Sequence, residues 1–244
     1  MTRVVITGVD GLIGGILSEG LRGEHDVAGV DARSGVDMRD LNAAERAFAG
    51  AEVVVDLAAN PRTDTSWQQV YANNLPATAN ALEAAQRTGA RRVVFASSNH
   101  VTGLYERDEP YARIVVGDYE GLDPAAIPRI TSAHPIRPDG PYGVGKAFGE
   151  AAARFYADVY GLSVICLRIG TVNAENAPRK ARERATLLTH RDLVHLVDAC
   201  IRASDEVRFA IFYGVSANTW RFWEIGDAQE AVGYRPKDDA ASYV

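Results

Sequence analysis

Tyr142 and Lys146 stand four residues apart in Tyr142-Gly-Val-Gly-Lys146, so on a helix the two side chains share one face. An ammonium beside a phenol favours the phenolate and lowers its pKa from about 10 toward the range of a general base. Upstream, a run of β-type residues ends in Ser97-Ser98-Asn99-His100. A hydroxyl from Ser98 at a strand end would hydrogen-bond the oxygen that such a base deprotonates. Ser98, Tyr142 and Lys146 are therefore the candidate catalytic set. Tyrosine and lysine at this spacing often form a mere surface pair; the catalytic reading depends on what surrounds them.

The surroundings begin at the N-terminus, where a β-type run, 3–7, meets Gly8, Gly11 and Gly14 and then a helical stretch that opens with Leu12 and Ile13. Glycine at these positions lets the backbone turn tightly and approach a pyrophosphate without a Cβ in the way, with the helix N-terminus facing the phosphates. Asp31 closes the second β-type run 23 residues after Gly8. An acidic side chain there accepts hydrogen bonds from the adenosine ribose and repels a 2′-phosphate, so the expected cofactor is NAD rather than NADP. Arg33, beyond Ala32, could reach a phosphate and leaves strictness toward NAD open. Asp37 and Met38 are placed to flank the adenine, and Leu57, Ala58 and Ala59 form a small-residue strand end suited to lie beneath the cofactor.

These residues need a scaffold that brings strand ends together. Apolar, β-branched runs at 3–7, 26–31, 52–57, 92–97, 163–169 and 209–213 alternate with helical patterns at 12–21, 41–48, 67–88, 142–160 and 191–203. Strands apolar throughout are those of a parallel sheet covered on both faces, so the fold class is α/β, a Rossmann-type doubly wound parallel sheet. The expected organisation is a dinucleotide-binding domain over 1–170 and a small C-terminal substrate lobe over 171–244, packed as one unit. Between the fourth strand and the Tyr142 helix, 102–141 holds six prolines and no sustained period. A stretch of this kind is expected to be a loop over the site.

Composition narrows the remaining classes. Hydrophobic residues make up 47% of the 244, charged residues 24%, and the net charge is −6, which is ordinary for a globular protein and argues against a cationic nucleic-acid binder. No apolar run reaches the roughly 18 residues of a membrane span, and the chain opens on a strand rather than a signal core. Cys166 and Cys200 sit in apolar stretches, as buried thiols of a cytoplasmic protein would. His190 and His195 lack metal-ligand spacing, so no metal is expected, and His25 and His134 read as surface residues. Trp220, Phe222 and Trp223 fit either a sugar-pocket wall or core packing and a subunit contact.

With TGVDGLIG, VDLAAN, NNLPATAN, FASSNH and YGVGK in hand, the chain resembles the extended branch of the short-chain dehydrogenase/reductase superfamily. FASSNHVTGLY, LRIGTVN, THRDLVHLV and the C-terminal YGVSAN are similar to uronate dehydrogenases and archaeal NAD-dependent glucose-6-phosphate dehydrogenases. The resemblance implies oxidation of the anomeric hydroxyl of a small, anionic sugar to the lactone. It implies that Tyr142 is the base and that Lys146 holds the nicotinamide ribose. Ser98 would position the reacting oxygen, with Asn99 and His100 on neighbouring hydroxyls. Asn74, within NNLPATAN, would join the cofactor set. Thr171 falls where the uronate enzymes have a substrate-contacting serine, Val172 would touch the nicotinamide, and Arg182 would bind the anionic group, although Arg179, Lys180 and Arg184 lie close by. A homodimer through the 67–88 and 142–160 helices is also implied. Three departures stand out: Asp56 replaces the family histidine, 102–141 is longer than in uronate dehydrogenases, with its GDYEGLDP segment and Arg113 placed to help close the pocket, and the sequence stops at Val244, before their C-terminal tail. A nucleotide-sugar epimerase or dehydratase that retains its NAD, and a non-catalytic NAD-binding redox sensor, use overlapping residues.

Overall fold

Residues 1–243 are described from a computed structural model, and Val244 lies outside the described residues. In chain order the elements are β1 (Arg3–Thr7), α1 (Leu12–Gly20), β2 (Asp26–Val30), α2 (Leu41–Phe48), β3 (Val53–Asp56), α3 (Trp67–Gln69), a π-helical turn (Val70–Asn74) and α4 (Leu75–Thr88). There follow β4 (Arg92–Ser98), a 3₁₀ segment (Asn99–Arg107), α5 (Tyr111–Val116), α6 (Pro141–Tyr160), β5 (Ser163–Ile169), α7 (Glu183–Thr186), α8 (His190–Arg202), β6 (Phe209–Gly214) and α9 (Gly226–Val232).

The six strands form one sheet in the order β2-β1-β3-β4-β5-β6, and every pairing is parallel. Alternation along each strand divides its side chains between two cores. Val4, Ile6, Val53, Val55, Val94, Ile165 and Leu167 pack toward α1 and α8, where Leu193, Leu196, Val197, Cys200 and Ile201 form the expected stripe. Val5, Val54, Val93, Phe95, Val164 and Cys166 pack on the other face with α2, α4 and α6. Because β2 and β3 leave β1 on opposite sides, a crevice opens between the carboxyl ends of β1 and β3, where such sheets bind ligands.

Residues after 170 divide between the main sheet and a core that they share with the 102–141 stretch. α8 and β6 complete the main sheet and its first core, while a third core joins Tyr111, Ile114, Ile127 and Ile130 to Tyr213, Val215, Phe222, Trp223 and Ile225. The 102–141 stretch is therefore folded rather than a bare loop: its apolar side chains have partners in the C-terminal residues, a long-range match that local periodicity does not display. Phe222 and Trp223 are fully buried and serve as core, not as a pocket wall. His25 is likewise buried rather than a surface residue, because α8 brings Asp198 to 2.7 Å from its ring.

Beneath the strand ends lies a buried ion pair. Arg168 of β5 donates through Nε and Nη2 to the two carboxylate oxygens of Glu150 on α6, at 2.9 and 2.8 Å, and through Nη1 to the Tyr213 hydroxyl at 3.1 Å. Ser97 donates to the same carboxylate at 2.6 Å, and Tyr213 Oη lies 2.9 Å from Thr102 Oγ1. Removing one member leaves the other charge buried without compensation. Glu150→Ala should therefore lower unfolding free energy by about 3 to 5 kcal/mol in urea titration, and a loss under about 1 kcal/mol would show that the pair does not organise this layer.

Candidate active site

A cavity of about 860 Å³ runs along the carboxyl ends of the strands. One end is the glycine turn. Gly8 adopts φ +66°, and a Cβ at Gly14 would fall on the Gly8 carbonyl oxygen and 2.6 Å from Val9 Cα, so α1 can begin this close to β1 only without side chains. Gly11 caps α1 with no side-chain hydrogen bond, which leaves the first amides of the helix open to the cavity lined by Gly8, Gly11, Leu12, Ile13 and Gly14. Uncapped amides and a cradle that a Cβ would fill fit the pyrophosphate of a dinucleotide.

Asp31, Ala32 and Arg33 continue the wall. One Asp31 oxygen accepts the Arg33 backbone amide at 2.9 Å, so this carboxylate both caps a turn and borders the cavity. Asp37 and Met38 lie beyond it, and hydrogen bonds from Arg39 hold the Asp37 carboxyl below the usual carboxylate range. Leu57, Ala58 and Ala59 line the floor. Asn74 does not reach the cavity: its side chain is buried against Asn60, accepting the Asn60 amide at 2.9 Å and donating to its carbonyl at 3.2 Å. The π-helical turn that ends at Asn74 interrupts the expected continuous helix, and its neighbour Asn73 faces the cavity instead. Asn73, Asn60, Thr63 and Arg39 were not legible as site residues, since loop geometry places them and no motif spacing marks them.

At the other end, β4 delivers Ser98 and α6 delivers Tyr142 and Lys146 to the same wall. Ser98 Oγ accepts the His100 amide at 3.2 Å. Asn99 is buried beside it, and its Nδ2 has no partner within the protein. His100 Nδ1 lies 2.6 Å from Asp139, and its ring stands edge-on to Tyr142 with centroids 5.9 Å apart. Burial pushes the Tyr142 phenol up to about 12, and the Ser98 hydroxyl hydrogen-bonded to it pulls it part of the way back. Lys146 Nζ donates to the Ala96 carbonyl at 2.6 Å and sits 5.9 Å from the Tyr142 ring. Burial brings Lys146 itself down to about 8, opposed by the nearby Asp56 carboxylate. The upward direction of the phenol comes from desolvation, and the Lys146 ammonium is anchored on a backbone carbonyl.

Asp56 is buried beneath this end, accepts the Thr7 hydroxyl at 2.7 Å and has its carboxyl pushed upward by desolvation. Thr7 Oγ1 in turn accepts the amides of Leu57 and Ala58 at 3.0 Å each, which fixes the cavity floor. Thr171, Val172 and Arg182 complete the far wall. Thr171 Oγ1 lies 2.7 Å from Thr186 Oγ1, and Arg182 lays its guanidinium on Glu106. Among the described residues of 102–141, none lines the cavity. That stretch acts through two carboxylates that sequence reasoning missed, Glu106 on Arg182 and Asp139 on His100. Arg113 and the GDYEGLDP segment bond to each other, Arg113 Nε to Asp118 at 2.8 Å, and do not close the pocket.

Because burial lowers Lys146 from 10.5 to about 8, the unfolded chain holds this proton more tightly between those two values. The cost of the buried ammonium is therefore fully present below pH 8 and fades as pH rises toward 10.5. Lys146→Met should raise unfolding free energy at pH 7 by about 2 kcal/mol, from about 3 for the shift less about 1 for the lost hydrogen bond. The gap to the parent protein should narrow between pH 8 and 10.5. Chemical denaturation across that range checks it; a variant less stable at pH 7 would count against a charged, desolvated Lys146.

Comparisons with known proteins agree with this geometry. The family model described as the NAD dependent epimerase/dehydratase family matches residues 4–195. The chain is 35% identical to an L-arabinose 1-dehydrogenase (NAD(P)(+)) of Haloferax volcanii, over 100% of both chains. It is 34% identical to an NAD-dependent glucose-6-phosphate dehydrogenase of the same organism, over 85% of this chain and 76% of that one. The crystal structure of a uronate dehydrogenase from Agrobacterium tumefaciens, a mutant complexed with NAD, superposes with a TM-score of 0.82 at 29% identity, covering 100% of this chain and 87% of that one. A glycine cradle ahead of α1, a catalytic-type tyrosine and lysine on α6 and a family match over most of the sheet lead to one conclusion: the chain belongs to the NAD dependent epimerase/dehydratase family, with NAD as its cofactor.

Proposed function

We propose that this protein is an NAD-dependent dehydrogenase that oxidises the anomeric hydroxyl of a small sugar to the lactone. The observation that carries this reading is one continuous cavity with the glycine cradle and Asp31 at one end and Ser98, Tyr142 and Lys146 at the other. The full-length likeness to sugar dehydrogenases supports it. Structural neighbours among nucleotide-sugar epimerases, at 23% identity, speak to the fold alone.

NAD, when bound, supplies the acceptor for the sugar C1 hydride and, in its oxidised form, a positive charge. Gly8, Gly11, Leu12, Ile13 and Gly14 would hold its pyrophosphate, Asp31, Ala32 and Arg33 the adenosine ribose, and Asp37 and Met38 the adenine. Leu57, Ala58 and Ala59 would lie beneath it, with Val172 against the nicotinamide. Lys146, held by Ala96, would donate to the nicotinamide ribose and keep a positive charge near the phenol. Tyr142 then takes the proton of the C1 hydroxyl, which requires its pKa to fall from about 12 as that charge assembles. Ser98 donates to the reacting oxygen, while Asn99 Nδ2, His100 and Thr171 meet the neighbouring hydroxyls.

We also assign the protein to a homodimer. Val144, Phe148, Phe155 and Val159 form an exposed apolar stripe on α6, and Trp67 and Tyr71 are exposed on the adjoining helix. Buried, unpaired Cys166 and Cys200 support a reducing, cytoplasmic setting.

General-base catalysis is worth about 10² to 10⁴-fold. Tyr142→Phe should lower NADH formation by that factor and leave NAD affinity, read by fluorescence titration, within about threefold. Full activity in this variant would overturn the mechanism, and purified protein with tightly held NAD and no net reduction would favour an epimerase. Light scattering should give twice the monomer mass at micromolar concentration; a monomer would remove the assignment of a dimer.

A further inference from the structure

We propose that Glu106 is a specificity residue that neutralises the Arg182 arm of the cavity, so that the substrate is an uncharged aldose rather than a uronate or a sugar phosphate. The proposal rests on the dehydrogenase reading above and names the substrate class of that same cavity.

Four cationic side chains line the cavity: Arg33, Arg39, Lys146 and Arg182. Arg33 and Arg39 belong to the end with Asp31 and Asp37, and Lys146 is anchored on the Ala96 carbonyl, which leaves Arg182 as the cation at the sugar end. Its neighbours do not substitute for it. Arg179 pairs with Glu175, Lys180 is exposed outside the cavity, and Arg184 reaches the Tyr243 carbonyl.

Arg182 is not free to receive an anion. Nε and Nη2 donate to the two oxygens of Glu106 at 2.6 Å each, with the two side chains only 28% and 14% exposed. This is the paired-donor fork that a guanidinium would otherwise offer to a carboxylate or phosphate. The remaining nitrogen, Nη1, lies 3.4 Å from Thr171 Oγ1. Two of the five guanidinium N–H groups are on Glu106 and one points to Thr171, so the arm presents to the sugar the two N–H groups left on Nη1 and Nη2 beside the Thr171 hydroxyl, a match for sugar hydroxyls.

Glu106 cannot swing aside easily. Its 3₁₀ segment is buried at Val101, Thr102 and Gly103, Thr102 Oγ1 donates to the Asn99 carbonyl at 3.2 Å, and the Leu104 amide donates to the Arg137 carbonyl at 2.9 Å. Arg137 in turn pairs with Asp108. A second carboxylate, Asp139, holds another cavity side chain, His100. His100 Nδ1 lies 2.6 Å from Asp139, so a protein carboxylate already holds that edge of the ring. An anionic substituent at this end would therefore meet Glu106 and Asp139 with the single local guanidinium already paired.

The test uses the full chain and a matched pair of sugars. L-Arabinose and D-galacturonate share the pyranose ring configuration at C1 to C4 and differ by the carboxylate on C5, and D-glucose, D-glucuronate and glucose 6-phosphate form a second set. Initial rates of NADH formation should give kcat/KM at least about 10-fold higher for the neutral member of the preferred set. Glu106→Gln frees the guanidinium and should move the neutral-to-anionic ratio at least about 10-fold toward the anion, chiefly through KM. Parent protein that prefers the uronate or the phosphate overturns the proposal and leaves the dehydrogenase reading standing, as does an unchanged ratio in a Glu106→Gln protein with parental circular dichroism. If that variant does not fold, the matched-pair comparison on the parent protein decides alone. Absence of NADH from every sugar, in a protein that binds NAD, overturns the dehydrogenase reading and this proposal with it.

Discussion

Six strands that run the same way finish along one edge of the sheet, and Thr7, Val30, Asp56, Ser98, Ile169 and Gly214 are their last residues. Parallel pairing in register is what sets this edge: Thr7 stands opposite Val30 and Asp56, and Ser98 opposite Ile169. Each strand end hands its chain to a turn, and the turns at Gly8, Ala58, Asn99 and Gly170 are the walls of the cavity. The crossover helices follow from the same constraint, because a parallel strand is reached only by a connection long enough to cover a face of the sheet. α1 arrives with open amides at the pyrophosphate end and α6 with Tyr142 and Lys146 at the sugar end. Register and connection together put the glycine cradle and the Tyr142 phenol at the two ends of one groove.

Charge is buried under this edge in a graded way. Glu150 and Arg168 compensate each other and, with Ser97, Tyr213 and Thr102, tie together five elements. Lys146 has no such bidentate partner; it keeps one carbonyl and the more distant Asp56, and burial lowers its pKa as a result. The contrast separates structure from chemistry. A fully paired charge holds the layer rigid, whereas an underpaired ammonium stays responsive to what arrives beside it. The 102–141 segment acts in a similar way at the other end, where Glu106 and Asp139 hold two cavity side chains without lining the cavity themselves.

Much of this was written in the chain. The runs 3–7 and 163–169 read as strands with their observed bounds, because a buried parallel strand is apolar at every position and needs no long-range information to be seen. The glycine triplet, Asp31, Ser98, Tyr142 and Lys146 were legible for a related reason: each sits at a fixed offset from a strand or helix end, and sequence spacing carries that offset into space. Asn74 was misread since one π-helical turn rotates the face that a continuous helix would present. His25, Phe222 and Trp223 were misread or left open because their partners, Asp198, Tyr111 and Tyr213, lie far along the chain.

The sequence by itself determined the sheet and which residues its strand and helix ends bring to one cavity, Gly8, Asp31, Ser98, Tyr142 and Lys146 among them, because these depend on local pattern. Only the tertiary structure decided the electrostatic character of the sugar end. Arg182 and Glu106 are 76 positions apart, and no period or motif couples them. A lone arginine near a strand end reads as an anion site, while the same arginine with its fork on a half-buried carboxylate is a neutral hydrogen-bonding wall. The difference lies in a contact that exists only once the proline-rich segment has packed against the C-terminal core.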